Sequence, residues 1–150
     1  MEWEEFLDPY VQAVGELKVK LRGIRKQYRK QQRHSPIEFV TGRVKSVESI
    51  QEKMIMQNIS LDNLARDMND IAGLRIMVQF EDDIAEVLKV LHQRKDMKIV
   101  LERDYITYKK PSGYRSYHVI VEYPVDTIDG NKVVLAEIQI RTLAMNFWAT

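Results

Sequence analysis

Cysteine is absent from this chain of 150 residues. That excludes disulfides, cysteine metal sites and thiol nucleophiles, and it fits a reducing cytoplasm. Glycine is scarce, at 6 residues, and its spacing allows neither a P-loop nor a dinucleotide-binding turn. Histidine is scarcer: His34, His92 and His118 are scattered without metal-ligand spacing. No serine sits in a nucleophile elbow, and the protein-kinase signature is missing. No apolar run approaches the ~20 residues of a membrane span. The acidic start Met1-Glu2-Trp3-Glu4-Glu5 does not read as a signal peptide. Internal repeats, low-complexity segments and long linkers are also lacking.

What is present is an ordinary globular composition, 45% hydrophobic and 30% charged, in a length that suits one domain with a real core. The net charge of +1 hides an asymmetry. Lys18, Lys20, Arg22, Arg25, Lys26, Arg29, Lys30 and Arg33 follow one another with no acid between Glu16 and Glu38. Such a run is a solvated helix face, or a footprint for RNA or another polyanion.

Periodicity divides the chain in two. Phe6, Tyr10, Val14, Leu17, Leu21, Ile24 and Tyr28 recur every three or four residues and predict one long helix over residues 3–30, with Pro9 as an alternative start. A second helix is expected over 46–57, and a short third one capped by Ser60. The period then changes to two. Strands are expected over 74–80, 98–104, 116–123 and 132–141, with a helix capped by Asp82-Asp83 after the first. Pro124 and Asp129-Gly130 join the last two strands as a hairpin. The reading is an α+β domain with a mixed, mostly antiparallel sheet of four to five strands flanked by helices.

The strand expected at 132–141 points Glu137, Gln139 and Arg141 to one face and Val134, Ala136, Ile138 and Ile140 to the other. Arg75 and Gln79 share a face of the first strand, and Ser116 and His118 a face of the third. If the apolar face packs on helices, these groups form one polar surface suited to a ligand. Asp70, at the turn feeding the first strand, and Glu137 are the best carboxylate pair for Mg²⁺, which commonly takes one or two carboxylates plus substrate phosphates. Arg43, Lys45 and Lys53 flank the second helix, Arg75 and Arg103 come from strands, and Lys109-Lys110 precede Gly113. Tyr114 is expected on an exposed turn, where its ring could stack on a base; Tyr114→Phe would then be mild. Metal-assisted transfer of a phosphoryl-type group between nucleotides remains.

Four segments carry a family resemblance: Gly42-Arg43-Val44-Lys45-Ser46, Asp70-Ile71-Ala72-Gly73-Leu74-Arg75, Ser112-Gly113-Tyr114-Arg115-Ser116-Tyr117-His118 and Glu137-Ile138-Gln139-Ile140-Arg141-Thr142. Together they resemble the synthetase domain of the Rel/Spo alarmone enzymes. The segment from His34 to Arg43 and the closing Ala144-Met145-Asn146-Phe147-Trp148-Ala149-Thr150 resemble the stand-alone small synthetases of the RelQ type. The resemblance implies a nucleotidyltransferase-like synthetase fold and transfer of pyrophosphate from ATP to the ribose 3′-oxygen of GDP or GTP. It implies that Asp70 and Glu137 hold Mg²⁺, and that Glu137 also activates the acceptor hydroxyl. Arg43, Lys45, Lys53 and Arg75 would bind ATP, with the two arginines around the adenine. Tyr114, Arg103, His118 and Gln139 would bind the guanine nucleotide. It further implies a cytoplasmic homotetramer activated by pppGpp in a cleft lined by Lys18, Arg22, Glu38, Phe39, Thr41, Gly42 and Asn146. Relatives continue past Asn146-Phe147-Trp148 with further helices, so the expectation for these 150 residues is one synthetase domain that tetramerises poorly. The hydrolase motif of longer relatives has no counterpart. An RNA-binding module built on the basic helix and a different metal-dependent nucleotidyltransferase are the alternatives.

Overall fold

The computed structural model describes the backbone of residues 2–149 and the side chains of residues 2–146. The closing motif of the resemblance therefore falls partly outside the described residues, from the Phe147 side chain onward. The first helix, α1 (Trp3–Lys30), has the expected bounds. Glu2 caps it through a carboxylate that accepts from the Glu4 amide at 3.1 Å. Pro9 is not its start but lies buried inside it. Tyr10, Ala13, Val14, Leu17, Leu21 and Ile24 are buried along one stripe, and burying each of the larger ones stabilises the domain by about 1.5–3 kcal/mol.

An unanticipated strand, β1 (Phe39–Val44), precedes α2 (Val47–Gln57). Ser46 caps α2, its hydroxyl accepting from the Ser49 amide at 3.2 Å. Ser60 makes no side-chain cap. The third helix is instead a tight turn, Leu61–Asn63, followed by one α-turn, α3 (Leu64–Asp67). Leu64 and Met68 are buried there, while Leu61 stays exposed. The next strand, β2 (Ala72–Val78), is shifted two residues earlier than expected, so Gln79 falls beyond it. Helix α4 (Glu81–Gln93) begins just after Phe80. Asp83 does not precede it but sits in its first turn, where the carboxylate accepts from the Phe80 amide at 3.1 Å.

The remaining strands are β3 (Lys98–Asp104), β4 (Tyr117–Thr127) and β5 (Gly130–Thr142), followed by α5 (Leu143–Ala149). Strand β4 runs through Pro124, which pairs with Val133 on β5. Proline is tolerated there because the pairing of β4 with β3 ends at Glu122, leaving that flank of β4 without a ladder. Gly130, at φ 104°, closes the hairpin.

The five strands lie in the order β1-β2-β5-β4-β3. All neighbours are antiparallel except β2 and β5, which run parallel. Val40, Leu74, Ile76, Val119, Val121, Ala136, Ile138 and Ile140 join the buried residues of α1 and α4 in one core. These helices cover one face of the sheet. The polar residues expected to share a surface lie on the other.

Candidate active site

Strand register builds the site. Thr41 pairs with Arg75, Arg75 with Gln139, Gln139 with His118 and His118 with Arg103. Paired residues on adjacent strands share a face, so one polar row crosses all five strands. The next row contains Arg43, Gly73 and Glu137. Gly73, without a side chain, leaves the floor open between the arginine and the carboxylate.

That opening is a cavity of about 330 Å³ lined by Arg43, Lys45, Asp70, Arg75, Glu137 and Gln139 among others. Asp70 lies two residues ahead of β2, and its carboxylate accepts from Lys45 Nζ at 3.0 Å and from Lys53 Nζ at 2.8 Å. Burial pushes the Asp70 carboxyl up, but the two ammonium groups more than reverse this and hold it below its ordinary value. The cavity thus has an ionised carboxylate at one wall and Glu137, 9% exposed, at another. Hard oxygen donors of this number suit Mg²⁺ completed by phosphate oxygens and water. Among the described residues no group of three or more His, Cys, Asp or Glu side chains forms a closed metal cage.

A second cluster adjoins it. Arg141 is 4% exposed, and its guanidinium donates to Ser116 Oγ at 3.2 Å, the Tyr114 hydroxyl at 2.6 Å, Gln139 Oε1 at 2.8 Å and Asn146 Oδ1 at 3.4 Å. Gln139 Nε2 donates to Glu137 Oε1 at 2.8 Å. The Tyr114 hydroxyl lies 2.8 Å from His118 Nε2, and His118 Nδ1 lies 3.8 Å from Glu137 Oε2. Burial lowers the His118 pKa; Glu137 opposes that shift, while Arg141, Lys110 and Arg103 add to it. Burial thus favours the neutral imidazole.

The structure brings Asp70, Glu137, Arg43, Lys45, Lys53, Arg75, Gln139, His118 and Tyr114 onto one connected surface, with exposed Arg103 at the far end of its row. Tyr114 departs from expectation: it is half-buried rather than exposed on a turn, with its hydroxyl engaged and Arg141 and Lys110 against its ring at 4.9 and 5.3 Å. The residues of the expected regulatory cleft are distributed over both sides of β1. A Cβ on Gly42 would meet Lys18 Cδ at 3.1 Å, and Arg22 donates to the Val40 carbonyl at 2.9 Å, both from the α1 side. Phe39, 46% exposed, and Thr41 lie on the site side, and the Glu38 amide donates to the Met77 carbonyl at 2.8 Å. Asn146 Oδ1 accepts from Arg75 at 3.1 Å as well as from Arg141, which places it beside the polar face.

Arg141 and Ser116 were expected on the polar ligand face and Lys110 among the nearby cations, but none of the three was expected to have an individual role in the site. The signal for Arg141 was present, since it shares the parity of Glu137 and Gln139. Within the basic run, Lys20 is used by the fold: it pairs with Asp96 at 3.1 Å and lies 4.7 Å from the Tyr123 ring. No helix among the described residues is long and apolar enough to cross a membrane.

Residues 42–150 match the family model described as the region found in RelA and SpoT proteins. The chain is 62% identical over 149 residues to the GTP pyrophosphokinase YjbM of Bacillus subtilis, covering 99% of this chain and 70% of that protein. It superposes with a TM-score of 0.98 on a GTP pyrophosphokinase family protein from Streptococcus pneumoniae, at 72% identity over 99% of this chain and 73% of the other. It superposes with a TM-score of 0.95 on the small alarmone synthetase 1 of Bacillus subtilis bound to its product pppGpp, at 61% identity over 99% of this chain and 76% of that one.

Proposed function

The chain belongs to the RelA/SpoT family, and from that premise we propose that it is a small alarmone synthetase, a GTP pyrophosphokinase making (p)ppGpp from ATP and GDP or GTP. The observation that carries this reading in the site itself is the cavity in which Asp70 and Glu137 face Arg43, Lys45 and Arg75. Two carboxylates opposed by several cations suit a polyphosphate and its metal ion.

Arg43 and Arg75 stand diagonally on neighbouring strands, two residues apart in register and on the same face, an arrangement that lets two planar guanidiniums take an adenine between them. Lys45 and Lys53, held on Asp70 in this state, are placed to transfer their hydrogen bonds to phosphate oxygens. Asp70 and Glu137 would hold Mg²⁺, which supplies charge to the phosphate oxygens when bound. Tyr114 offers a ring to the guanine, and Arg103, His118 and Gln139 line the acceptor half of the row.

In the transfer, the ribose 3′-oxygen attacks the β-phosphorus of ATP. The bond from that phosphorus to the oxygen bridging the α-phosphate breaks, and AMP leaves with its electrons. Glu137 accepts the hydroxyl proton, a role of the kind worth ~10²–10⁴-fold. Cytoplasmic nucleotides are the substrates. A homotetramer activated by pppGpp is the further family expectation. Exposed Phe39 on the edge strand β1 and the basic face of α1 support it, by offering a ring and cations to a guanine polyphosphate.

Incubating the protein with ATP, GDP and Mg²⁺ and resolving the products by chromatography tests the assignment. AMP and a guanosine 3′-pyrophosphate are expected. Release of pyrophosphate without AMP identifies a nucleotidyltransferase and contradicts it.

A further inference from the structure

The hydrogen bonds around Glu137 have a single consistent direction, and it originates at Arg141. A guanidinium can only donate. Arg141 Nη2 donates one hydrogen to the Tyr114 hydroxyl at 2.6 Å and the other to Gln139 Oε1 at 2.8 Å. With the Gln139 carbonyl oxygen so occupied, its amide nitrogen is the group that meets Glu137, at 2.8 Å. The amide orientation, which the bare side-chain shape does not define, is thereby set by the network.

The second arm follows the same logic. The Tyr114 hydroxyl carries one hydrogen, and its partner besides Arg141 among the described residues is His118 Nε2 at 2.8 Å. Having accepted from Arg141, it donates to Nε2. The neutral imidazole then carries its hydrogen on Nδ1, the nitrogen that faces Glu137 Oε2 at 3.8 Å. Both arms lead to the same carboxylate, one through a hydrogen bond from Gln139 and the other through the nearby Nδ1 of His118. The Ser116 and Asn146 bonds hold the guanidinium plane at the origin.

We propose that Arg141 is a positioning residue for the acceptor half of the reaction: through Gln139, and through Tyr114 and His118, it sets the direction of the hydrogen bonds that lead to Glu137, so that the carboxylate stays aimed to take the acceptor's proton. The role rests on the assignment of Glu137 as the base. Arg141 itself touches no reacting atom. Lysine cannot replace it, because one ammonium lacks the planar fork that reaches several partners at once.

The test reads the tautomer of His118 directly, by ¹⁵N NMR of the imidazoles in the intact wild-type protein at about pH 8, above the ordinary histidine pKa. The expected state is protonated Nδ1 and bare Nε2, the less common tautomer of a free side chain. A protonated Nε2 overturns the proposal. In Arg141→Lys and in Tyr114→Phe the Nδ1–H preference should be lost. In Arg141→Lys kcat should also fall by about tenfold or more, while KM for ATP changes little. Retention of the tautomer and of kcat in Arg141→Lys contradicts the role. If that variant fails to fold, the wild-type tautomer and Tyr114→Phe still decide. Failure of the underlying reaction is read separately: wild-type protein that releases pyrophosphate instead of AMP removes the assigned chemistry and leaves the tautomer result standing.

Discussion

Arg141 meets Tyr114 twice, donating to its hydroxyl at 2.6 Å and placing its guanidinium carbon 4.9 Å from the ring centroid. The ring is tethered before any base arrives, so little further ordering is needed when one stacks on it. Tyr114→Ala should weaken binding of a guanine nucleotide by roughly 1–3 kcal/mol, the stacking contribution, measured by titration calorimetry. Sequence alone made Tyr114→Phe mild. With the hydroxyl bridging Arg141 and His118, the phenylalanine variant should instead keep its affinity and lose turnover. Equal turnover in Tyr114→Phe and wild type would show that the bridge is idle.

Asp70→Asn removes the charge that Lys45 and Lys53 share. Turnover should fall by ~10² or more, while stability drops by only about 1 kcal/mol, since partly exposed ion pairs contribute little. Steady-state rates with Mg²⁺ and a thermal melt separate the two effects. A variant with near-normal turnover would remove Asp70 from the metal-binding role.

At Gly42, α1 packs closely on β1. A Cβ there would stand 2.7 Å from Leu74 Cδ1, 3.0 Å from Val14 Cγ1 and 3.1 Å from Lys18 Cδ. Gly42→Ala should therefore cost about 1–3 kcal/mol through overpacking, seen as a lower urea midpoint. An unchanged midpoint would mean that the helix moves away freely.

Asp96 supplies a pH test remote from the site. Its bonds from Arg94 at 2.9 and 2.6 Å, joined by Lys20 at 3.1 Å, hold its pKa at about 2, below the ordinary 3.8. A depressed carboxyl contributes stability above its unfolded pKa, and this contribution is lost as pH falls through the folded value. The wild-type melting temperature should therefore fall more steeply than that of Asp96→Asn between about pH 4 and pH 2. Parallel curves would contradict the pairing.

The sequence made α1 and β5 plain because each shows an unbroken period, 3.6 in one and 2 in the other. It concealed β1. Phe39, Val40, Thr41 and Val44 favour strands, but Gly42 breaks a run of only six residues, and pairing with β2 is what makes it a strand. The same non-locality hid the row from Thr41 to Arg103. Parity shows which residues of one strand share a face, but register between strands comes only from the assembled sheet. The burial of Tyr114 is hidden for a related reason. Its neighbours in sequence are turn formers, whereas the partner that buries it, Arg141, lies on β5.

The most direct test follows the label from ATP carrying ³²P in its terminal phosphate, with GDP as acceptor, in wild type and Glu137→Gln. Wild type should place the label in the 3′-pyrophosphate of the guanosine product and release unlabelled AMP. Glu137→Gln, folded as judged by circular dichroism, should transfer almost none, as expected when a shape-preserving change removes the base. Label recovered as free pyrophosphate, or normal transfer by Glu137→Gln, would contradict the account.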